Sequence, residues 1–381
     1  MTTADLPMPA VRDGYGHGRM PGRNAAPDPG LIDRVPYGRF RNVYLYISEA
    51  CQLRCDHCYM GERLERAMKM PLSQIVDWLT TWRRMGGSKV TILGGEPTLH
   101  PNFTDAVRLA GRLGYEHVIT TTNGQRPALK KFRAMAPEDF AYVQVSLDGG
   151  DAKNHDAVRG AGTFDTAVAT TRELARRGFD TRVICTVNRA NRDDALRLLE
   201  LAGELGVNLV KFHVFSEIGT GHLNRELALT PPEWIEFCDL LERVAVLYDT
   251  RVWYQPAYAR RDQMDRYAGE GYQGCIGRTL DRISVFPDGR AYVCSYLFDT
   301  DLNFAQMTGS QVTLNREPSE FDLFTSALAR SACGGCKSPA CLGGCPAEQV
   351  VSGTSSCATY RDIVPVCRLW KSSAKPETAS S

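Results

Sequence analysis

The chain has 381 residues, and its 45 lysines and arginines nearly balance 44 aspartates and glutamates, giving a formal net charge of +1. This length allows two or three domains with a sizeable core, and the charge balance excludes the basic field that nucleic-acid binding requires. We find no apolar run of about 18 residues and no signal peptide, because residues 1–30 are polar and rich in glycine and proline. The sequence therefore predicts a cytoplasmic protein that binds neither nucleic acid nor membranes.

Cysteine is abundant, and its distribution is uneven. Disulfides are rare in the cytosol, so metal or redox chemistry explains 13 cysteines better. Eight of them follow residue 270, and three lie within 51–58. Cys185 and Cys238 stand apart. Buried free cysteines behave as small hydrophobic residues, and we assign no role to these two.

Regular structure is predicted from about residue 41, after a flexible N-terminal segment at 1–40. Apolar, β-rich runs predict six strands, at 42–47, 89–93, 117–121, 142–147, 181–187 and 209–214. Amphipathic stretches between and after them predict six helices, at 72–85, 103–113, 126–134, 163–177, 191–205 and 231–247. The last helix has a strong start signal, since Thr230 can cap it, Pro231 suits its first position and Glu233 lies three residues after the cap.

Near-continuous apolar strands that alternate with helices predict a parallel α/β sheet with right-handed crossovers. Six units are fewer than the eight of a closed barrel, so we expect a partial (β/α)6 TIM-like barrel over residues 41–250. The chain from 251 to 381 is expected to be a second, loop-rich domain held together by metal. Within it, 283–286 and 290–293 predict a β-hairpin around Pro287-Asp288-Gly289.

Three cysteines follow the first predicted strand in a CxxxCxxC spacing, at Cys51, Cys55 and Cys58. Three thiolates on one loop suit three corners of a cubane cluster and leave the fourth iron without a protein ligand. Thiolates select iron–sulfur clusters or zinc, and a structural zinc site needs four ligands. The spacing indicates an iron with an open position, with a small zinc site as the alternative.

Gly94, Gly95 and Glu96 follow the second strand, where glycines let the backbone approach a ligand closely. With CxxxCxxC upstream, the chain over about residues 41–230 resembles the radical S-adenosylmethionine (SAM) enzymes. The resemblance implies that the three cysteines hold a [4Fe–4S] cluster whose open iron chelates SAM, and that Gly94-Gly95-Glu96 contacts the methionine amino group. One electron from the cluster then cleaves SAM to a 5′-deoxyadenosyl radical, which abstracts hydrogen from the substrate.

Two further residues fit the same resemblance. Ser146 lies in the run Ser146-Leu147-Asp148-Gly149, and Arg159 follows it. The family implies that Ser146 touches the SAM ribose and that Arg159 touches its carboxylate. The alternative is a serine that ends a strand and an arginine in a surface ion pair. The sequence assigns no catalytic acid or base.

The cysteines after residue 270 resemble, in their order, the SPASM extension of radical SAM enzymes, which carries two auxiliary iron–sulfur clusters. The central run has one residue fewer between its second and third cysteines than the family pattern. By position, auxiliary cluster I is assigned Cys275, Cys294 and Cys345, and auxiliary cluster II is assigned Cys333, Cys336, Cys341 and Cys367. Cys357 either completes cluster I or is a free thiol, and two zinc sites are the alternative for the whole set.

SPASM enzymes act mostly on peptides, so the resemblance implies a peptide maturase that installs an oxidative modification such as a side-chain cross-link. A radical SAM dehydrogenase or epimerase of a small molecule, such as an aminoglycoside-type sugar, is the alternative. A non-catalytic zinc or iron–sulfur protein is the third possibility. The 40 residues before the barrel are too few for a leader-recognition domain, so a peptide substrate requires a separate recognition protein or leaderless binding.

Other expected partners and contacts are less specific. The electron donor is expected to be a flavodoxin or a ferredoxin. Sulfatase maturases of this family have a catalytic aspartate directly after the cysteine equivalent to Cys294, and Ser295 at this position argues against that activity. The candidate substrate contacts are Tyr254, Tyr258, Tyr296, His213 and Glu217.

Overall fold

The computed structural model describes residues 40–255, 257–264, 281–309, 311–315, 345–352 and 362–366. The strands, in chain order, are β1 (Asn42–Ser48), β2 (Lys89–Gly94), β3 (His117–Thr122), β4 (Tyr142–Ser146), β5 (Thr181–Val187), β6 (Leu209–Val214), β7 (Arg251–Tyr254), β8 (Tyr258–Arg260), β9 (Arg282–Val285), β10 (Arg290–Tyr292), β11 (Ala305–Thr308), β12 (Gln311–Leu314) and β13 (Ile363–Pro365). The helices are α1 (Arg63–Arg66), α2 (Leu72–Arg84), α3 (Phe103–Arg112), α4 (Arg126–Arg133), α5 (Ala152–Arg159), α6 (Phe164–Arg176), α7 (Ala195–Glu204), α8 (Pro231–Val244) and α9 (Pro346–Ser352).

Eleven of these strands form one sheet, in the order β12-β11-β10-β9-β1-β2-β3-β4-β5-β6-β7. From β9 through β7, every neighbouring pair is parallel, whereas β10, β11 and β12 continue the sheet as antiparallel strands. A separate two-stranded antiparallel pair joins β8 to β13. The predicted α/β architecture with a mostly parallel sheet is therefore confirmed.

The six predicted strands and the α-helices largely match the structure, with two local differences. Residues 191–205 contain a 3₁₀ turn at Arg192–Asp194 before α7 begins, and α8 ends at Val244 with a 3₁₀ turn at Ala245–Leu247. The predicted capping box of α8 is present: the Thr230 side chain accepts a hydrogen bond from the Glu233 N–H, and the Glu233 carboxylate accepts one from the Thr230 N–H at 2.7 Å.

The core lies between the sheet and the helices that cross it. Helix α2 shows why it packs there, because its buried residues recur at helical spacing: Ile75, Trp78, Leu79 and Trp82. The two indole rings stack with centroids 5.6 Å apart. A second cluster of buried side chains fills the space between the later strands and helices α7 and α8. No helix among the described residues is long and apolar enough to cross a membrane.

The predicted hairpin is present, but its position in the sheet was not predicted. Strand β9 pairs in parallel with β1, from Asn42 opposite Arg282 to Leu45 opposite Val285. The turn that follows needs a glycine, because Gly289 has φ +81° and an added Cβ would lie 2.6 Å from the Met307 carbonyl oxygen. The hairpin therefore continues the same sheet as the parallel strands.

A buried ion network joins the segment after β1 to this hairpin. The Arg63 side chain is fully buried and donates to Glu49 at 2.5 Å, to Asp288 at 2.8 Å and to Asp299 at 2.6 Å. Its guanidinium also lies 4.5 Å from the centre of the Phe286 ring. Asp299 reaches Arg63 from a left-handed backbone conformation with φ +64°. Since Glu49 lies two residues before Cys51, the network connects the first cysteine loop to the β9–β10 turn.

Replacing Arg63 by methionine should lower the free energy of unfolding by about 3–5 kcal/mol, because the buried Glu49 carboxylate would keep only its longer contact with the partly exposed Arg66, at 3.4 Å. Urea denaturation of the purified protein measures this loss. The matched control is Arg54→Met on the same segment, whose exposed ion pair with Glu65 should contribute at most about 1 kcal/mol. Equal losses in the two variants would contradict a special role for Arg63.

Candidate active site

The three N-terminal cysteines lie on one loop at the carboxyl end of β1. Burial raises the pKa of the Cys51 thiol to about 11 and that of Cys55 to about 12. The negative charge of neighbouring thiolates also raises both pKa values. Burial also raises the pKa of Cys58. At neutral pH these groups are thiols, so a metal that binds them must displace protons. Three sulfur donors on one loop fit an iron–sulfur cluster with an open corner.

The loops after β1, β2 and β6 meet at this edge. The Gly95 N–H donates to the Ser48 carbonyl and the Glu96 N–H to the Ala50 carbonyl, both at 2.8 Å. From the other side, the Thr220 N–H donates to the Cys58 carbonyl at 2.8 Å. The carboxyl ends of parallel strands share one edge of a sheet, and this explains why segments far apart in sequence surround the cysteines.

Gly94 ends β2 and Gly95 follows it, and a side chain at either position would clash with the protein's own backbone. A Cβ added to Gly94 would lie 2.6 Å from the Ser48 carbonyl oxygen, and one added to Gly95 would lie 2.6 Å from that of Glu49. The sequence interpretation was an approach to a ligand. The structure adds a second role, because the absence of a side chain lets the cysteine loop pack closely against these two residues.

Glu96 is fully buried and is bound by the protein through both carboxylate oxygens. One oxygen accepts hydrogen bonds from the Thr98 N–H at 3.1 Å and the Thr122 hydroxyl at 2.8 Å, and the other accepts from the Asn123 N–H at 2.7 Å. The Thr98 hydroxyl donates as well. Burial raises its pKa despite these donors. Glu96 therefore fixes the β3 loop against the β2 loop.

Asn123 is a site residue that the sequence reading left without a role. Its side-chain nitrogen lies 3.7 Å from Cys51 Sγ, and its side-chain oxygen accepts a hydrogen bond from Gln52 at 3.1 Å. In the sequence, Thr122-Asn123-Gly124 directly follows the predicted strand at 117–121. Its position after a strand indicated that Asn123 lies near the site, but not that its side chain lies beside Cys51.

A second buried network lies beside Cys55. Arg159 ends α5, and its Nε donates to Asp148 at 2.5 Å while Nη1 lies 3.9 Å from Cys55 Sγ. His57 Nε2 lies 3.4 Å from the same Asp148 oxygen. Burial alone would raise the pKa of Asp148, but Arg159 and the two neighbouring histidines hold it below its ordinary value. Burial lowers the pKa of His57 to about 4, so its ring is neutral at physiological pH.

The structure places Ser146 at the buried end of β4 and the candidate substrate contacts in different surroundings. His213 is neutral, since burial and Lys211 lower its pKa to about 3, and its ring packs edge-on to Trp253. The Tyr254 hydroxyl donates a hydrogen bond to the Glu242 carboxylate on α8. Tyr258 packs against the second core cluster.

Tyr296 and Glu217 lie closer to the cysteine loop. Tyr296 packs against Tyr59, the residue after Cys58, with ring centroids 5.6 Å apart. Glu217 pairs with Arg225 at 3.5 Å, and its N–H lies 3.4 Å from the Glu348 carboxylate of α9. Helix α9 therefore contacts the loop after β6.

Two of the C-terminal cysteines fall among the described residues. Cys294 is buried and lies 3.9 Å from an Arg282 nitrogen, and Cys345 immediately precedes α9. Helix α9 packs against the 3₁₀ turn Ser295–Leu297, which follows Cys294 directly. The other predicted ligands lie outside the described residues: Cys275, Cys333, Cys336, Cys341, Cys357 and Cys367.

Hydroxyl groups connect the two cysteine-bearing segments. Tyr46 on β1 bonds to the Tyr59 hydroxyl at 2.7 Å and donates to Ser295 at 2.9 Å, and Ser295 bonds to Ser284 on β9 at 2.8 Å. Ser295 therefore has a structural role, as a buried hydrogen-bonding group next to Cys294. The seven described cysteines form no disulfides, and no three histidine, cysteine, aspartate or glutamate side chains in this part of the chain converge on a single-ion site.

Residues 45–212 match the family model of the Radical SAM superfamily. The chain is 28% identical over 342 residues to mycofactocin maturase MftC of Mycolicibacterium smegmatis, an alignment that covers 86% of this chain and 84% of the relative. It is 28% identical over 190 residues to the PqqA peptide cyclase of Streptomyces rochei, covering 50% of this chain and 52% of that one.

The fold is similar to that of a solved protein of low sequence identity. Streptococcus suis SuiB bound to its precursor peptide SuiA superimposes with a TM-score of 0.67 at 16% identity, covering 88% of this chain and 76% of that one. The matched family segment begins within β1 and ends within β6, so it contains the cysteine loop and the β2 and β3 loops beside it, whereas Thr220 lies beyond its end. Residues 45–212 therefore form a radical SAM superfamily domain.

Proposed function

We propose that this protein is a radical SAM peptide maturase that introduces an oxidative modification, such as a side-chain cross-link, into a peptide. The observation that carries the proposal is the meeting of the cysteine loop with the β2 and β3 loops at one sheet edge, inside a segment that matches the radical SAM family. The names of the relatives, a maturase and a peptide cyclase, and the peptide bound to SuiB support a peptide substrate.

Cys51, Cys55 and Cys58 would hold the cluster, since they supply three sulfur donors and leave one iron open. When bound there, a [4Fe–4S] cluster with SAM supplies a 5′-deoxyadenosyl radical that abstracts hydrogen from the substrate. The chain's own task is to position the reactants and to exclude water from the radical. The burial of Cys55, Glu96 and Ser146 supports a site of this kind.

Of the five SAM-binding residues predicted from the sequence, we assign contacts to four and assign none to Glu96. The Glu96 carboxylate and N–H already have protein partners, so we assign the methionine amino group to the carbonyl groups of Gly94 and Gly95. Arg159 has five N–H donors, of which Asp148 and Cys55 occupy two, and the others can reach a carboxylate. Ser146 is assigned to the ribose.

Two auxiliary clusters are proposed for the C-terminal cysteines. Cys275, Cys294 and Cys345, with Cys357 as a possible fourth ligand, would hold cluster I, and Cys333, Cys336, Cys341 and Cys367 would hold cluster II. The packing of α9 against the turn after Cys294 supports bringing Cys345 towards Cys294. These clusters would accept the electron that leaves the substrate radical, and this makes the net modification an oxidation.

The Cys55→Ala variant should lose about four iron atoms per chain and all SAM cleavage, because three thiolates are the minimum set that leaves one open iron. Anaerobic reconstitution, iron analysis and measurement of 5′-deoxyadenosine after dithionite reduction test this. The matched control is Cys238→Ala, a cysteine buried in α8. Zinc in place of iron, or unchanged 5′-deoxyadenosine formation by Cys55→Ala, would contradict the proposal.

If the auxiliary clusters are present, Cys333→Ala should differ from Cys55→Ala in both iron content and SAM cleavage. The wild-type protein should bind about 12 iron atoms per chain, as three four-iron clusters. The variant should retain about eight, continue to cleave SAM and fail to form modified peptide, since the acceptor of the returning electron is lost. If product formation persists at the wild-type rate, cluster II is dispensable.

A peptide substrate can be separated from a small molecule by mass spectrometry. Short peptides encoded beside the gene should be converted to products lighter by two hydrogens, as an oxidative cross-link requires. The reaction needs SAM, reductant and the reconstituted enzyme, and Cys55→Ala is the control. A chain that cleaves SAM yet leaves such peptides unmodified, while oxidising or epimerising an aminoglycoside-type sugar, would support the small-molecule alternative.

A further inference from the structure

We propose that Arg159 raises the reduction potential of the cluster held by Cys51, Cys55 and Cys58, by donating a hydrogen bond to Cys55 from a position fixed by Asp148. The proposal rests on the proposed function, because it presumes a cluster on this loop. It adds a role that the SAM-binding assignment of Arg159 does not include. Arg159 is thus a positioning and tuning residue for the reductive step.

The geometry of Arg159 suits a donor with two acceptors. Its side chain is 9% exposed and lies at the C-terminal end of α5, where Gly160 with φ +107° ends the helix. One edge of the guanidinium pairs with Asp148 at 2.5 Å, and Nη1 lies within hydrogen-bond distance of Cys55 Sγ at 3.9 Å. The rigid fork of arginine allows both contacts at once, which a lysine ammonium cannot reproduce.

Asp148 is itself held from several directions, so Arg159 has little freedom to move away. The second carboxylate oxygen of Asp148 accepts the Thr186 N–H at 2.7 Å. The Asp148 carbonyl accepts the Asn191 side chain at 2.8 Å, and its N–H donates to His155 Nδ1 at 3.1 Å. The carboxylate therefore anchors the guanidinium against Cys55.

The expected effect follows from charge. Reduction adds one negative charge to the cluster, and a buried cation that donates to a ligand sulfur stabilises that charge. Because Cys55 and Arg159 are buried, water screens this interaction weakly. The negative charge of Asp148 opposes the effect of Arg159.

The two partners should therefore shift the potential in opposite directions. Arg159→Met should lower the midpoint potential of the cluster, Asp148→Asn should raise it, and the double variant should fall between them. The measurement is a redox titration of reconstituted protein followed by electron paramagnetic resonance. The signal that changes on adding SAM identifies the cluster with the open iron. This readout does not depend on catalytic activity.

Arg54→Met is the matched control, because Arg54 lies on the same loop, donates to the Cys51 carbonyl at 2.9 Å and is 54% exposed. Solvent screening should make its shift smaller than that of Arg159→Met. If Arg159→Met takes up no iron, Arg159→Lys keeps the charge near Asp148 and should give a smaller downward shift.

The outcomes distinguish the inference from the function on which it rests. Shifts of the same sign for Arg159→Met and Asp148→Asn, an unchanged potential for Arg159→Lys and Arg159→Met, or an equal shift for Arg54→Met would overturn the tuning role. A wild-type protein that binds no iron would overturn the proposed function itself. A wild-type cluster that loads normally and keeps its potential in every variant overturns the inference alone.

Discussion

The pairing of β1 on both of its edges is the constraint on which the site depends. On one edge β1 pairs with β2, and on the other it pairs with β9, both in parallel register. The first pairing brings Gly94 and Gly95 under the cysteine loop, and the second brings the β9–β10 turn to Arg63. The loop that carries Cys51 is therefore fixed by strands separated from it by about 40 and about 230 residues of chain.

The charged groups around the cysteines serve two different purposes. Arg63, fully buried and bound to three carboxylates, holds the backbone at Glu49 and the hairpin together. Arg159 lies beside the Cys55 sulfur and pairs with one carboxylate, that of Asp148. Removing either arginine takes the shortest ion pair from a buried acid, but only Arg159 contacts a sulfur that would hold a cluster. Structural and redox contributions can thus be separated by mutation.

Most strands and helices could be predicted because the patterns that specify them, apolar runs and capping residues, lie within or directly beside each element. The continuous apolar runs of β1 to β6 and the Thr230–Glu233 capping box fix element type within a few residues. Among the features that were not predicted, three illustrate the physical reasons. Strand β7 is a four-residue edge strand, and helix α5 is short and polar, so neither has a strong periodic signal. The β9–β1 register depends on tertiary packing between distant segments, which no local pattern encodes.

For the site residues, too, the local sequence pattern indicated the location but not the contact partners. The spacing of the cysteines and the two glycines indicated where the site lies, but not that Glu96 binds Asn123 or that Arg159 contacts Cys55.

The Arg63 contacts also bear on biosynthesis. Asp288 and Asp299 leave the ribosome more than 200 residues after Cys58. The contacts that hold the three-cysteine loop are therefore complete only after the hairpin has been synthesised, late in translation.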